Sequence, residues 1–183
     1  MKKITLSLMA LLLTCTTWLA SAQTEIPQQN ATLTSGAGFV DGDIYTDSGG
    51  SAGNYSINES STLDLVANPG EALLVSFTTF DVEASFIGSC FDNLTVAGDT
   101  VGLDGTYSGD DNDAGVNLAC MDATDPAGNP TLGPFRSSDG GTLSFTFFSD
   151  TSITQDGWMA DINLVTPIDP NAPVINCPMD ITA

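Results

Sequence analysis

Histidine is absent from the 183 residues, and bases are nearly so: Lys2, Lys3 and Arg136 stand against 23 acids, a formal net charge of −20. Without His, neither Ser-His-Asp nor Cys-His catalytic pairs, HExxH metal sites or imidazole proton shuttles can be built. Lys2 and Lys3 lie in a removable N-terminal segment, so the mature chain keeps Arg136 as its one base. That excludes Schiff-base chemistry and makes DNA, RNA, nucleotides and anionic membranes poor partners, since all are held through Lys and Arg. Long apolar runs are also missing after residue 22, and none approaches the roughly 20 residues of a membrane helix. No membrane insertion of the mature chain is expected. Carboxylate chemistry is what remains, as acid/base pairs or as ligands for a hard cation.

The first 22 residues read as a signal peptide of bacterial type. Lys2 and Lys3 form the positive start, residues 4–13 the apolar stretch, and Ala20-Ser21-Ala22 the small-residue cleavage site before Gln23. Secretion to an extracellular or cell-surface location follows. In that oxidising setting the three remaining cysteines are an odd set. Cys90 and Cys120 lie within the same candidate domain and form the natural disulfide pair, whereas Cys177 lies near the C-terminus. Cys177 is expected to pair with a cysteine further downstream in a longer parent chain.

Residues 23–38 are polar and Thr-rich, a loose leader or short first strand. From 39 to about 166, short apolar runs at 62–66, 72–80, 94–97, 142–148 and 158–165 are rich in β-branched and aromatic residues and cut by Gly, Asn, Asp and Ser. Leu143, Phe145 and Phe147 alternate with Ser144 and Thr146, the period of a half-buried strand, and no 3.6-residue stripe persists for three turns. The expectation is an all-β protein, an antiparallel β-sandwich. Two polar excursions interrupt it, 99–117 with Asp99, Asp104, Asp110, Asp111 and Asp113, and 122–134. The first lacks the spacing and closing Glu of an EF-hand and reads as a flexible acidic loop rather than a second cation site. Residues 167–183 carry four prolines and end on a fresh strand signal, a linker into a further domain.

Three stretches in order, DSGGSAGNYSINESSTLDL, SFTTFDVEASFIGSCFDNLTV and SSDGGTLSFTFFSDTSITQDGWMADI, together resemble a CUB domain over about residues 47–164. The C-terminal APVINCPMDIT resembles the opening of a hyalin-repeat (HYR) domain, which accounts for the lone Cys177. The first resemblance implies a jelly-roll-like β-sandwich with a calcium site at one end. The family's ligand positions fall on Glu83 in FTTFDVE, Asp92 in CFD and Asp150 in FFSD, with the supporting tyrosine at Tyr55, eight residues before Leu63.

The donor chemistry agrees with that placement, because Ca²⁺ takes six to eight oxygens from carboxylates, carbonyls and water. Three gathered carboxylates repel unless a cation neutralises them. Tyr55 would hydrogen-bond a ligating carboxylate and fix its rotamer. The cysteine spacing is longer than the family's. Trp158 reads as core rather than a sugar platform, and Asn30, Asn54, Asn58 and Asn93 open N-x-Ser/Thr sequons.

The function implied by the resemblance is a non-enzymatic, calcium-dependent binding or adhesion module, recognising a basic side chain of a protein, or a glycan, through its loop end. Two other roles stay open: an accessory domain of a secreted hydrolase or protease whose catalytic domain lies outside this chain, and a structural spacer.

Overall fold

A computed structural model describes residues 23–84, 90–110 and 132–168. The expected signal segment, Cys120, Cys177, Asp111, Asp113, most of the 122–134 excursion and nearly all of the expected C-terminal linker, with the stretch that resembles a HYR opening, lie outside the described residues.

Eleven strands are described: β1 (Glu25–Pro27), β2 (Ala31–Thr34), β3 (Ile44–Thr46), β4 (Ser60–Val66), β5 (Ala72–Val82), β6 (Asn93–Ala97), β7 (Gly105–Tyr107), β8 (Gly109–Asp110), β9 (Phe135–Arg136), β10 (Thr142–Phe148) and β11 (Gly157–Val165). One sheet runs β1-β3-β11-β5-β8 with β9 also on β5; the other runs β2-β4-β10-β6-β7. The all-β sandwich expected from the strand texture is the observed architecture.

The sheets are mixed rather than purely antiparallel. β1 joins β3 and β2 joins β4 in parallel. Residues 23–38, whose sequence suggested a leader or a single short strand, supply an edge strand to each sheet. The crossing is made by Gln28, 5 % exposed. Its Nε2 donates to Ser61 O, Ser61 Oγ and Phe145 O, and its Oε1 accepts from Tyr45 OH at 2.7 Å. A buried amide satisfied at both ends joins the two layers without orphaned polar atoms.

Alternation does the rest. On β10, Leu143, Phe145 and Phe147 are buried while Thr142, Thr146 and Phe148 are exposed. Inward side chains of both sheets meet around Trp158, whose ring centroid lies 4.9 Å from Phe147 and 5.6 Å from Tyr45 in tilted or edge contacts. Such arrangements match the charge distribution of aromatic rings. Trp158 is 1 % exposed, a core residue as expected.

Register brings five chain segments to one end of the sandwich. Phe148 pairs with both Ser60 and Asn93, and Gly157 pairs with Asp81. The residues just beyond these pairs, Glu59, Asp92, Asp150, Asp156 and Glu83, therefore share that end.

Candidate metal centre

Glu83 follows the last residue of β5, Asp92 precedes β6, and Asp150 follows β10 by two residues. Each offers a carboxylate oxygen, and the three oxygens lie within 4.8 Å of one another. The structure thus brings together all three acids that the resemblance singled out, and Tyr55 with them. The Tyr55 hydroxyl donates to Asp92 Oδ2 at 2.7 Å and accepts from the Glu83 backbone N–H at 3.1 Å. One phenol fixes one carboxylate and the chain position of another.

The loops are tied across this end by their own turn chemistry. Asp150 Oδ1 accepts from Ser152 N at 2.7 Å and Ser152 Oγ at 3.1 Å, while Asp150 N donates to Asp92 Oδ1 at 2.7 Å. This is the local side-chain-to-backbone bonding that Asp favours in turns. Asp150 O accepts from Asn58 N at 2.6 Å. Buried Ser149 accepts from Glu59 N at 2.8 Å and donates to Ser56 O at 2.7 Å.

Electrostatically the cluster is a site of stored repulsion. Asp92 is fully buried and Glu83 is 9 % exposed. Burial pushes the Glu83 carboxyl above its ordinary range, and the charges of Asp92 and Asp150 push it further. Burial also raises Asp92, and the charges of Asp150 and Glu59 add to this. The bonds from Tyr55 and the Asp150 N–H oppose the rise. Burial holds the Tyr55 phenol well above its ordinary value, so it stays a proton donor.

Glu83 Oε2 is buried with no hydrogen-bond partner among the described residues. Such an atom is costly unless something beyond the described residues satisfies it. Arg136, the sole base of the described residues, gives Nη2 to Thr166 O at 2.7 Å and forms no part of this cluster. An all-oxygen set of three carboxylates with an orphaned oxygen fits a hard divalent cation. Glu83, Asp92 and Asp150 would hold it, with Tyr55 orienting Asp92.

Two neighbouring acids were not singled out from the sequence. Asp47, fully buried, accepts from Gly49 N at 2.6 Å and Trp158 N at 3.1 Å. Glu59 accepts from Ser48 Oγ and from Ser56 N, the latter at 2.9 Å. The Asp-Ser-Gly turn signature at 47–49 was the available signal for the first; the second carries none. In the 99–117 excursion, Asp99 is a structural acceptor rather than part of a flexible loop. Its carboxylate takes N–H groups of Val101, Leu103 and Arg136 at 2.6–2.9 Å, while Asp104 caps Asp99 N. Cys90 lies 3.3 Å from Ser108 Oγ; its expected partner Cys120 is outside the described residues.

No protein-family model matches the chain, and no curated protein matches it. Among solved structures, the full extracellular region of zebrafish Gpr126/Adgrg6 matches 76 % of this chain at 20 % identity and TM-score 0.50. The CUB1-EGF-CUB2 region of human MASP-1/3 matches 62 % at 21 % identity and TM-score 0.44. The MASP-1 CUB2 domain bound to Ca²⁺ matches 60 % at 15 % identity and TM-score 0.37, over 82 % of its own length. The likeness is one of fold. The chain spans 15 % and 37 % of the first two. Among the described residues no helix is long and apolar enough to cross a membrane.

Proposed function

We propose that this chain is an extracellular binding module of the CUB type, non-catalytic, whose loop end is organised by calcium and receives a basic side chain of a protein partner. The observation that carries the reading is the convergence of Glu83, Asp92 and Asp150 around a buried carboxylate oxygen that has no partner among the described residues, with Tyr55 braced against two of them. Bound calcium supplies the neutralising charge. The chain's part is to hold the acids in place and to leave net negative potential at the rim.

The surroundings support a protein partner. Ile57, Phe91 and Ile153 are 46 %, 45 % and 60 % exposed, each in a loop that bonds to, or adjoins, Asp92 or Asp150. An apolar rim about an acidic centre suits a cationic side chain presented from a protein surface. An inverting glycosidase is disfavoured by spacing. Carboxylate oxygens within 4.8 Å of one another leave no room for a sugar and a water, which need separations of about 6.5–9.5 Å in inverting enzymes.

The test is calorimetric titration of the secreted chain with calcium, repeated on Glu83→Ala and Asp92→Ala. Extracellular modules bind with dissociation constants of about 10⁻⁴–10⁻³ M, so the range must reach several millimolar. Saturable heat lost in both variants, followed by calcium-dependent retention of a lysine-rich peptide, is the expected outcome. No heat and no melting shift would leave three acids with no cation to neutralise them, and a spacer role.

A further inference from the structure

The outward face of the second sheet differs in composition from the rest of the surface. Thr146 on β10 pairs with Thr62 on β4 and with Thr95 on β6, and Thr95 pairs with Thr106 on β7. Four threonines on four adjacent strands thus form one cross-strand row. Their hydroxyls meet in two pairs, Thr62–Thr146 at 2.9 Å and Thr95–Thr106 at 3.0 Å. In the next row, Asp64 accepts from Ser144 Oγ at 2.6 Å and from Thr32 Oγ1 at 3.4 Å. Asp64 is the sole ionisable side chain at the outward positions of these five strands. The outer side of the opposite sheet, by contrast, carries Glu25, Asp81 and Asp161.

Strand preference favours threonine and disfavours Asp and Glu on such a face, yet the opposite sheet, under the same preference, holds three acids on its outer side where this one holds Asp64 alone. A face kept clear of charge on a molecule of net charge −20 suits an uncharged partner. Each hydroxyl offers one donor and two acceptor lone pairs, so after the Thr–Thr contacts every pair keeps one O–H and several lone pairs for a ligand. The strands repeat them about every 4.8 Å, on the scale of a sugar ring. At one end of the face stands Phe148, 47 % exposed, beside the Asn93 amide with which it is in register. Mixed donors and acceptors, an amide and an aromatic platform, with almost no charge, match a ligand whose rim is hydroxyl and whose ring faces are C–H.

We propose that this face binds an uncharged polysaccharide, separately from the cation-organised loop end. The test incubates the full secreted chain with insoluble uncharged β-glucan, mannan and chitin, with calcium or with EDTA. It is repeated on Glu83→Gln and on the double variant Thr95→Val/Thr146→Val. Valine preserves the branched shape and strand preference while removing the hydroxyl, and a thermal melt confirms that the variant is folded. Retention on at least one polymer is expected. It should persist in EDTA and in Glu83→Gln, and fall at least about fivefold in the double valine variant, as loss of two ligand hydrogen bonds requires. Failure to bind any polymer, or retention undiminished by the valines, would overturn the proposal. Retention abolished by EDTA or by Glu83→Gln would also overturn it, by placing the glycan at the loop end.

Discussion

At the scale of single residues, the Tyr55 hydroxyl has two partners on different segments, Asp92 Oδ2 and the Glu83 N–H. Tyr55→Phe leaves the ring packed on Phe147 but strands both partners. Stability should fall by about 1–3 kcal/mol, and calcium affinity by about 10–100-fold, read from a denaturant curve and a titration on the same preparation. Ile153 has φ +42° and is 60 % exposed, a β-branched side chain in a region costing roughly 1–2 kcal/mol. Such strain is retained where a position serves something other than stability. Ile153→Asn, suited to that backbone, should raise the denaturation midpoint while weakening partner attachment. Asp47 gives the pH dependence. Burial lifts its pKa to about 6 against the bonds from Gly49 and Trp158, with the Glu59 charge adding to the rise. The folded state therefore binds this proton more tightly than the unfolded chain, whose Asp titrates near 4. The resulting destabilisation is absent below about pH 4, grows as pH rises towards 6 and is complete above it. Unfolding free energies measured from pH 4 to 7 should carry this negative slope, to which the raised Glu83 and Asp92 carboxyls add in the same direction, and Asp47→Asn should make it shallower by the Asp47 share even though the amide forfeits one acceptor.

At the scale of elements, the start of β11 is where the sandwich is least tolerant. Gly157 has φ +75°, and a Cβ there would come within 1.9 Å of Asp47 Oδ2. Gly157→Ala thus combines backbone strain with displacement of a carboxylate that holds two N–H groups. A loss of about 2–4 kcal/mol in thermal or denaturant unfolding is expected. The longer strands were legible because their alternation is their burial: residues 142–148 read as a strand and are one, end for end. Strands of two or three residues, β3, β7 and β9, show no period within themselves. They are strands because β11, β6 and β5 offer them ladders. Parallel entry of β1 and β2 was invisible for a similar reason, since it depends on Gln28 finding partners in both layers. The site divides in the same way. Glu83, Asp92, Asp150 and Tyr55 stand in recognisable local strings. Asp47 carries only a common turn signature and Glu59 none, and among 23 acids it is the N–H groups that the folded loops turn towards them that set them apart.

At the scale of the whole molecule, the acidic excess and the candidate centre make separable demands on solution conditions. A net charge of −20 destabilises the compact state through self-repulsion, which any salt relieves within a screening length of about 10 Å at 0.1 M. Calcium salts would do this too, so a melting shift with CaCl2 alone does not locate a site. A specific site adds an increment that follows RT ln(1 + [Ca²⁺]/Kd), about 2.7 kcal/mol at a hundredfold excess over Kd. With ionic strength held constant by NaCl, millimolar calcium should raise the melting temperature of the unaltered chain along that logarithmic curve. Glu83→Gln should keep the full NaCl response, because removing one of 23 acids barely alters the long-range field, and should lose the calcium increment. The two would respond alike if screening were the whole effect. In that case the orphaned Glu83 oxygen would be a plain cost to the fold, and Glu83→Gln would be the more stable protein even without calcium.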